Sequence, residues 1–200
     1  MAFWNAPNAV EDHAKRACEA VLESKRATLR LYASGVWKGL PPLTTRFGIH
    51  RASVMVGHFG AVRRMSYTAL GDGVNLAARL EPLCKQYGVT VLASETIVKD
   101  AAPDFVFRRI DRVAVKGKTQ GIDVYELLGK RGEEIRGLDR FERYEEGFTR
   151  YLARDFDGVI RLLEGQLDDA PSRVLSERCR ELRGEAPPAD WNGVHVASTK

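Results

Sequence analysis

Between residues 67 and 81 a β-friendly alternation (Tyr67, Thr68, Leu70) breaks at Gly71-Asp72-Gly73 and resumes as a helical run through Val74, Ala77, Ala78 and Leu80. A strand, a tight glycine turn and a helix start aim backbone N–H groups at one point, a geometry that binds anions. Asn75 and Arg79 are four residues apart and share one face of that helix. An amide able to hold a hydroxyl therefore lies beside a guanidinium able to clamp a phosphate. The same residues equally describe an ordinary βα connection carrying a surface Asn and Arg, because a lone Gly-rich turn is a weak signal. Lys116-Gly117-Lys118-Thr119 is a turn between two strand patterns, and any hairpin can carry two lysines at its tip. His50 reads as a structural residue at a strand end rather than a base, and Arg63 and Arg64 as solubilising charges at a hairpin tip.

The elements that position these residues follow from periodicity. Met1-Ala2-Phe3-Trp4 reads as the end of an apolar strand, followed by a turn and an Asn8/Glu11 capping box. Ala14, Ala17, Cys18, Val21, Leu22, Leu29 and Tyr32 predict a helix ending before Gly35 or Gly39. Residues 45–50 and 53–57 predict one long strand, bent or bulged near Arg51-Ala52. The helix that starts at Gly71 ends on Gly88 as its C-cap. Val89–Ala93 predicts a buried strand, with Ser94 capping a short helix. Phe105–Val115 and Ile122–Leu127 are the two arms of a hairpin. From Asp139 the chain changes character. Phe141, Tyr144, Phe148, Tyr151 and Leu152 make one amphipathic helix, and Phe156, Val159, Ile160, Leu163 and Leu167 a second. Pro171 stops the second, Val174–Leu182 is a shorter third pattern, and Trp191 is an anchoring aromatic in a tail.

Composition bounds the class. With 44% apolar and 29% charged residues, the 200-residue chain is globular rather than disordered. A net charge of +4 suits an anionic ligand but is too modest for nucleic acid, and no aromatic-interleaved basic motif supports that partner. No apolar run approaches the ~20 residues of a membrane span, so a cytoplasmic setting is expected. Cys18, Cys84 and Cys179 lie far apart without a CxxC pair, which indicates neither zinc nor a disulfide framework; Cys18 packs as a small hydrophobe.

The string Tyr67-Thr68-Ala69-Leu70-Gly71-Asp72-Gly73-Val74-Asn75-Leu76-Ala77-Ala78-Arg79-Leu80-Glu81 resembles the signature of class III adenylate/guanylate cyclase catalytic domains. Val115-Lys116-Gly117-Lys118 is similar to the family's Val-Lys-Gly-Lys. The resemblance covers Met1 to about Gly129. It implies that Asn75 orients the ribose and Arg79 stabilises the pentavalent phosphate while ATP closes to cyclic AMP. Lys116 reaches the triphosphate, and Lys118 is solvated. Thr68 stands where adenine-using bacterial members carry threonine, and its hydroxyl can donate and accept. The implied fold is an α+β, ferredoxin-like nucleotide-cyclase sandwich working as a dimer with its active site at the subunit interface. The departure at His50-Arg51-Ala52, where the family has His-Thr-Gly, puts the local bend in doubt because Ala tolerates positive φ poorly.

Family members use two metal ions, Mg²⁺ or Mn²⁺, held by carboxylates upstream of the Met-Ala-Phe-Trp segment. This sequence contains neither metal-binding motif, and in the matching pattern Asp72 caps the turn rather than ligating metal. The expectation is therefore an N-terminally truncated cyclase domain (1–129), a linker (130–138), a tetratricopeptide-like helical appendage (139–184) and a tail (185–200). Two functions are open. One is part of an adenylate cyclase, inactive alone for want of metal carboxylates. The other is a non-catalytic or complementing cyclase-like module that lends Asn75, Arg79 and Lys116 to a partner subunit. The appendage either docks on the main domain or contacts a partner.

Overall fold

The computed structural model describes residues 1–36, 38–41, 44–61, 63–114 and 121–196. In chain order the elements are helix α1 (His13–Ala33), strands β1 (Phe47–Ile49), β2 (Met55–Ala61) and β3 (Arg64–Leu70), and helix α2 (Asp72–Tyr87). Strand β4 (Val91–Ser94), helix α3 (Glu95–Ala101) and strands β5 (Phe105–Ala114) and β6 (Gly121–Lys130) follow. Helices α4 (Leu138–Leu152), α5 (Phe156–Leu163) and α6 (Ala170–Gly184) and a two-residue strand β7 (His195–Val196) complete it. The main sheet runs β1-β4-β6-β5-β7, with parallel outer pairs and antiparallel inner ones. β2 and β3 form a separate antiparallel hairpin with Thr68 opposite Gly57.

Side chains alternate across a strand, so β4 feeds two cores. Val91 and Ala93 join Ile49, Phe105, Leu127, Ile97 of α3 and the Ala14, Cys18, Val21, Leu22 stripe of α1. Leu92 points the other way and joins Leu80, Leu83, Cys84 and Tyr87 of α2 with Ile110, Val113 and Val124. The result is the expected α+β sandwich. A third cluster lies within the C-terminal helices, where Tyr144, Phe148, Tyr151, Val159, Leu163, Leu175 and Cys179 pack around Trp191. Trp191 stands edge-on to Tyr151 at 5.0 Å and to Phe156 at 5.9 Å, which is the anchoring expected of it.

Several local expectations give way to tertiary partners. Residues 1–4 are not a strand; Phe3 instead stacks obliquely on Tyr67 at 5.8 Å. The Asn8/Glu11 box does not form: α1 starts at His13 behind Asp12, and Asn5 Oδ1 accepts the Val10 N–H at 2.7 Å. The long strand over 45–57 divides, because β1 pairs with β4 while β2 pairs with β3 in the other sheet. Thr96 Oγ1 pins the break, donating to the Arg51 carbonyl at 2.9 Å and accepting its N–H at 3.3 Å. Ala52 makes this bend without a left-handed backbone, so the missing glycine is tolerated. Ser94 precedes α3 but its hydroxyl turns to His50 instead of capping. β6 runs on through Gly129 and Lys130, and Glu133 beyond it pairs with Arg26 of α1 at 2.7 Å. Pro171 starts α6 rather than stopping α5: in a first turn its missing N–H costs nothing, and Asp169 accepts the Ser172 N–H at 3.1 Å. The tail contains β7, which pairs in parallel with β5, Val113 opposite His195.

Candidate active site

The candidate site is built on α2, and two glycines without side chains let that helix sit where it does. At Gly48 in β1 a Cβ would lie 2.4 Å from the Ala77 carbonyl oxygen and 2.7 Å from the Glu81 nitrogen, so α2 rides directly on the β1 backbone. At Gly73 a Cβ would come within 2.5 Å of Ala52 Cβ, so the first turn of α2 abuts the 50–54 bend. Gly71, with φ of 146°, reverses the chain from β3, and its carbonyl accepts the Val74 N–H at 3.1 Å and the Asn75 N–H at 3.4 Å. Leu76, Leu80, Leu83, Cys84 and Tyr87 face the core. That leaves Asn75, Ala78, Arg79 and Pro82 on the exposed face. Asn75 and Arg79 are thus separated by about 6 Å of helix rise. Asp72 is exposed in the first turn, where a carboxylate complements the positive end of the helix dipole.

Thr68 is half-buried on β3, opposite Gly57 and three residues before Gly71, on the strand that leads into α2. Lys116 and Lys118 lie outside the described residues; the ends flanking them are Ala114 of β5 and Gly121 of β6. His50 Nδ1 is hydrogen bonded to Ser94 Oγ at 2.7 Å and to Thr96 Oγ1 at 3.3 Å, which fits the structural role expected of it. Arg63 and Arg64 are exposed at the β2–β3 tip. Two clefts, about 340 and 250 Å³, lie elsewhere, between the sheet and the C-terminal helices, and neither is lined by Thr68, Asn75 or Arg79.

Sequence reasoning missed a buried polar cluster at the far end of α2. Tyr87 Oη donates to Asp111 Oδ2 at 2.5 Å, and Arg178 clamps both Asp111 oxygens at 2.9 and 2.7 Å. Burial opposes charge on Arg178, but the Asp111 charge and hydrogen bonds more than offset it and raise the guanidinium pKa. Burial, then the Asp111 charge, pushes the Tyr87 phenol up as well. Beside it Arg108, 3% exposed, bridges Glu126 at 2.6 Å and Asp169 at 2.9 Å. The available signal was Arg108-Arg109-Ile110-Asp111-Arg112: so many charges on a strand that must also bury Ile110 require acidic and basic partners from other elements.

A mixed sheet between helical layers, with a strand–Gly-Asp-Gly–helix element seated on its edge strand, is the architecture of nucleotide cyclase catalytic domains. The family profile described as the adenylate and guanylate cyclase catalytic domain matches residues 1–129, and the chain belongs to that family. Adenylate cyclase 1 of Rhizobium meliloti (strain 1021) is 41% identical over 129 residues, covering 64% of this chain and 19% of that protein. The adenylate cyclase of Anabaena cylindrica is 44% identical over 92 residues, 44% of this chain and 18% of its own length. The chain thus spans about a fifth of these relatives. Among solved structures, the adenylyl cyclase CyaB from P. aeruginosa superposes with a TM-score of 0.56 at 25% identity, covering 64% of this chain and 66% of that one. The guanylyl cyclase Cya2 does so with a TM-score of 0.55 at 25% identity, covering 66% of each.

The family's divalent metals find no cage here. Among the described residues no three or more His, Cys, Asp or Glu side chains cluster as a metal site. Asp72 stands exposed in a helix first turn, a poor donor set for two dications, which need several oxygen ligands. The residues present do not fit the metal pair. Nor, among the described residues, is any helix long and apolar enough to cross a membrane.

Proposed function

We propose that this chain is part of an adenylate cyclase acting in intracellular signalling, with ATP as substrate and cyclic AMP and pyrophosphate as products. The observation that carries it is the Tyr67–Glu81 run, which passes from β3 through the Gly71 turn into α2, a helix whose buried face is locked to β1 and whose exposed face holds Asn75 and Arg79. In the reaction the ribose 3′-hydroxyl gives up its proton to solvent, its oxygen forms a bond to the α-phosphorus, and the bond from the α-phosphorus to the α–β bridging oxygen breaks, so that pyrophosphate leaves. Asn75 holds the ribose so that the 3′-oxygen lies in line. Arg79 meets the charge that builds on the α-phosphate oxygens, where a preorganised cation acts most strongly. Thr68 reads the purine edge, and Lys116 draws in the triphosphate. The metals, Mg²⁺ or Mn²⁺, would be held by carboxylates not among these 200 residues, in a homodimer of a longer chain or on a complementing subunit, and residues 139–184 are an appended helical unit. A chain that lends side chains across a dimer and does not turn over alone is the second reading, supported by the lack of a cluster of three or more metal-ligating side chains among the described residues.

Complementation tests both. The purified chain is mixed with a related cyclase domain that keeps its metal carboxylates but lacks the arginine equivalent to Arg79. Restored cyclic AMP formation is expected, together with little or none from this chain alone. Arg79→Ala in this chain should lower the restored rate by about 10²–10³-fold, the usual loss of one transition-state donor. No restoration and no ATP binding would remove the cyclase reading. Turnover by this chain alone would remove the complementing one.

A further inference from the structure

The C-terminal helices lie outside the family's matched residues, yet they hold α2 from behind. Asp111 in β5, 1% exposed, is the shared anchor: Tyr87 from the last turn of α2 and Arg178 from α6 both bind its Oδ2. The Arg178 clamp is bidentate, the strongest and most directional form of this pair. Arg178 also reaches Tyr151 Oη of α4 at 3.5 Å, and Tyr144 of α4 donates to the Ile110 carbonyl at 2.6 Å. Where α2 ends, Gly88 is packed so closely that a Cβ would sit 2.4 Å from Ala170 Cβ at the start of α6. The tail adds a second grip. Gln86 of α2 contacts the His195 ring at 3.4 Å, and β7 pairs with Val113 and Ala114. Val194 fills the space at Gly121, where a Cβ would lie 2.4 Å from its Cγ2. Helices and tail therefore hold α2 and also both ends of the segment that carries Lys116.

We infer that Asp111 and Arg178 are positioning residues of this site: they couple the C-terminal helices to α2 and so fix where that helix holds Asn75 and Arg79. Arg79 lies two turns, about 12 Å, from Tyr87 along one continuous helix. A tilt or loosening at the anchored end is therefore transmitted to the exposed face. The inference rests on the cyclase reading for its functional meaning, while the coupling itself belongs to the fold.

The test uses the full chain, hydrogen–deuterium exchange over α2, and titration with a fluorescent N-methylanthraniloyl-ATP. Arg178→Met cuts the clamp and Tyr87→Phe removes only the hydroxyl. Arg178→Lys keeps the charge, and Leu163→Ala loosens the helical core without touching Asp111. Arg178→Met and Tyr87→Phe should speed exchange in the second half of α2 by about tenfold, the factor that follows from 1.4 kcal/mol of lost protection. They should also weaken the probe about fivefold or more, the low end of coupling between linked sites. Arg178→Lys should recover part of both effects. Leu163→Ala, compared at the same distance below its melting point, should leave both within about twofold of the parent, inside the scatter of uncoupled sites. Should Arg178→Met fail to fold, Tyr87→Phe carries the comparison. Parental exchange over α2 in Tyr87→Phe, or equal loosening by Leu163→Ala, overturns the inference. A parent that binds no probe overturns the cyclase reading instead, and exchange alone then decides the coupling.

Discussion

Gly48→Ala is the sharpest probe of how α2 is seated. The added methyl would meet Ala77 O at 2.4 Å, Glu81 N at 2.7 Å and Leu80 Cβ at 2.8 Å. None of these is the end of a flexible side chain, so no rotamer change relieves the clash and α2 must lift off β1. Inserting a methyl into a packed core costs about 1–3 kcal/mol when neighbours can shift, and a backbone-lined slot belongs at the top of that range, about 3 kcal/mol. In a chain of this size each kcal/mol lowers Tm by about 2–4 °C, giving a fall of roughly 6–12 °C. On the proposed cyclase reading, and because the helix moves as a unit, ATP affinity should drop beyond what the lower stability explains. Differential scanning calorimetry and ATP titration well below Tm measure the two effects. Gly165→Ala, with no atom within 4 Å of the new Cβ, is the control and should melt with the parent. A Gly48→Ala protein melting within about 2 °C of the parent, less than the shift from 1 kcal/mol, would refute the close seating.

Burial and then the Arg178 charge lower the pKa of His195, which faces Arg178, Asp111, Glu181 and Gln86, so the fold favours the neutral ring. Its contribution is complete above the unfolded value near 6.5 and is lost as pH falls through that value toward the folded one. His195→Gln should therefore flatten the decline of Tm between about pH 7 and 5, and superimposable melting curves would refute this. Cys18, Cys84 and Cys179 are buried, and burial pushes each thiol up to about 12. A disulfide reagent at pH 8 should label them only at the rate of unfolding; rapid labelling of any one in native buffer would contradict their packing.

The sequence made α2 legible because its signals are local: the Gly71 turn, the helical run through Val74, Ala77, Ala78 and Leu80, and the Gly88 cap, with φ of 65°, all lie within eighteen residues, although the buried stripe proves to be Leu76, Leu80, Leu83, Cys84 and Tyr87 and Ala78 is exposed. The α4 and α5 stripes and the buried β4 were readable for the same reason. What failed was whatever a distant partner decides. Residues 45–57 alternate as one strand, and only β4 on one side and β3 on the other divide them. His195 and Val196 form a strand solely because the edge of β5 is there. Asp111 looked like one charge among several in an arginine-rich strand, and nothing nearby in sequence announces Tyr87 or Arg178 as its partners. The exposed pair Asn75 and Arg79 was found by motif, but the glycine contacts at positions 48 and 73 that seat their helix depend on which backbone arrives opposite.

The Asp111–Arg178 clamp also sets an order of events during synthesis. The two residues are 67 positions apart, and Tyr87 precedes both. At about 5–20 residues per second, roughly 3–13 s pass after Asp111 is added before its guanidinium partner is made. If the sheet closed in that interval it would enclose a carboxylate held by the Tyr87 hydroxyl and the Arg112 N–H but without a counter-charge, an unfavourable state. Final burial of Asp111 is therefore favoured only once α6 has been made and can supply Arg178. A ribosome stalled before Arg178 would thus present residues 1–129 with a strand carboxylate still lacking its counter-charge, a nascent chain chemically distinct from the finished one.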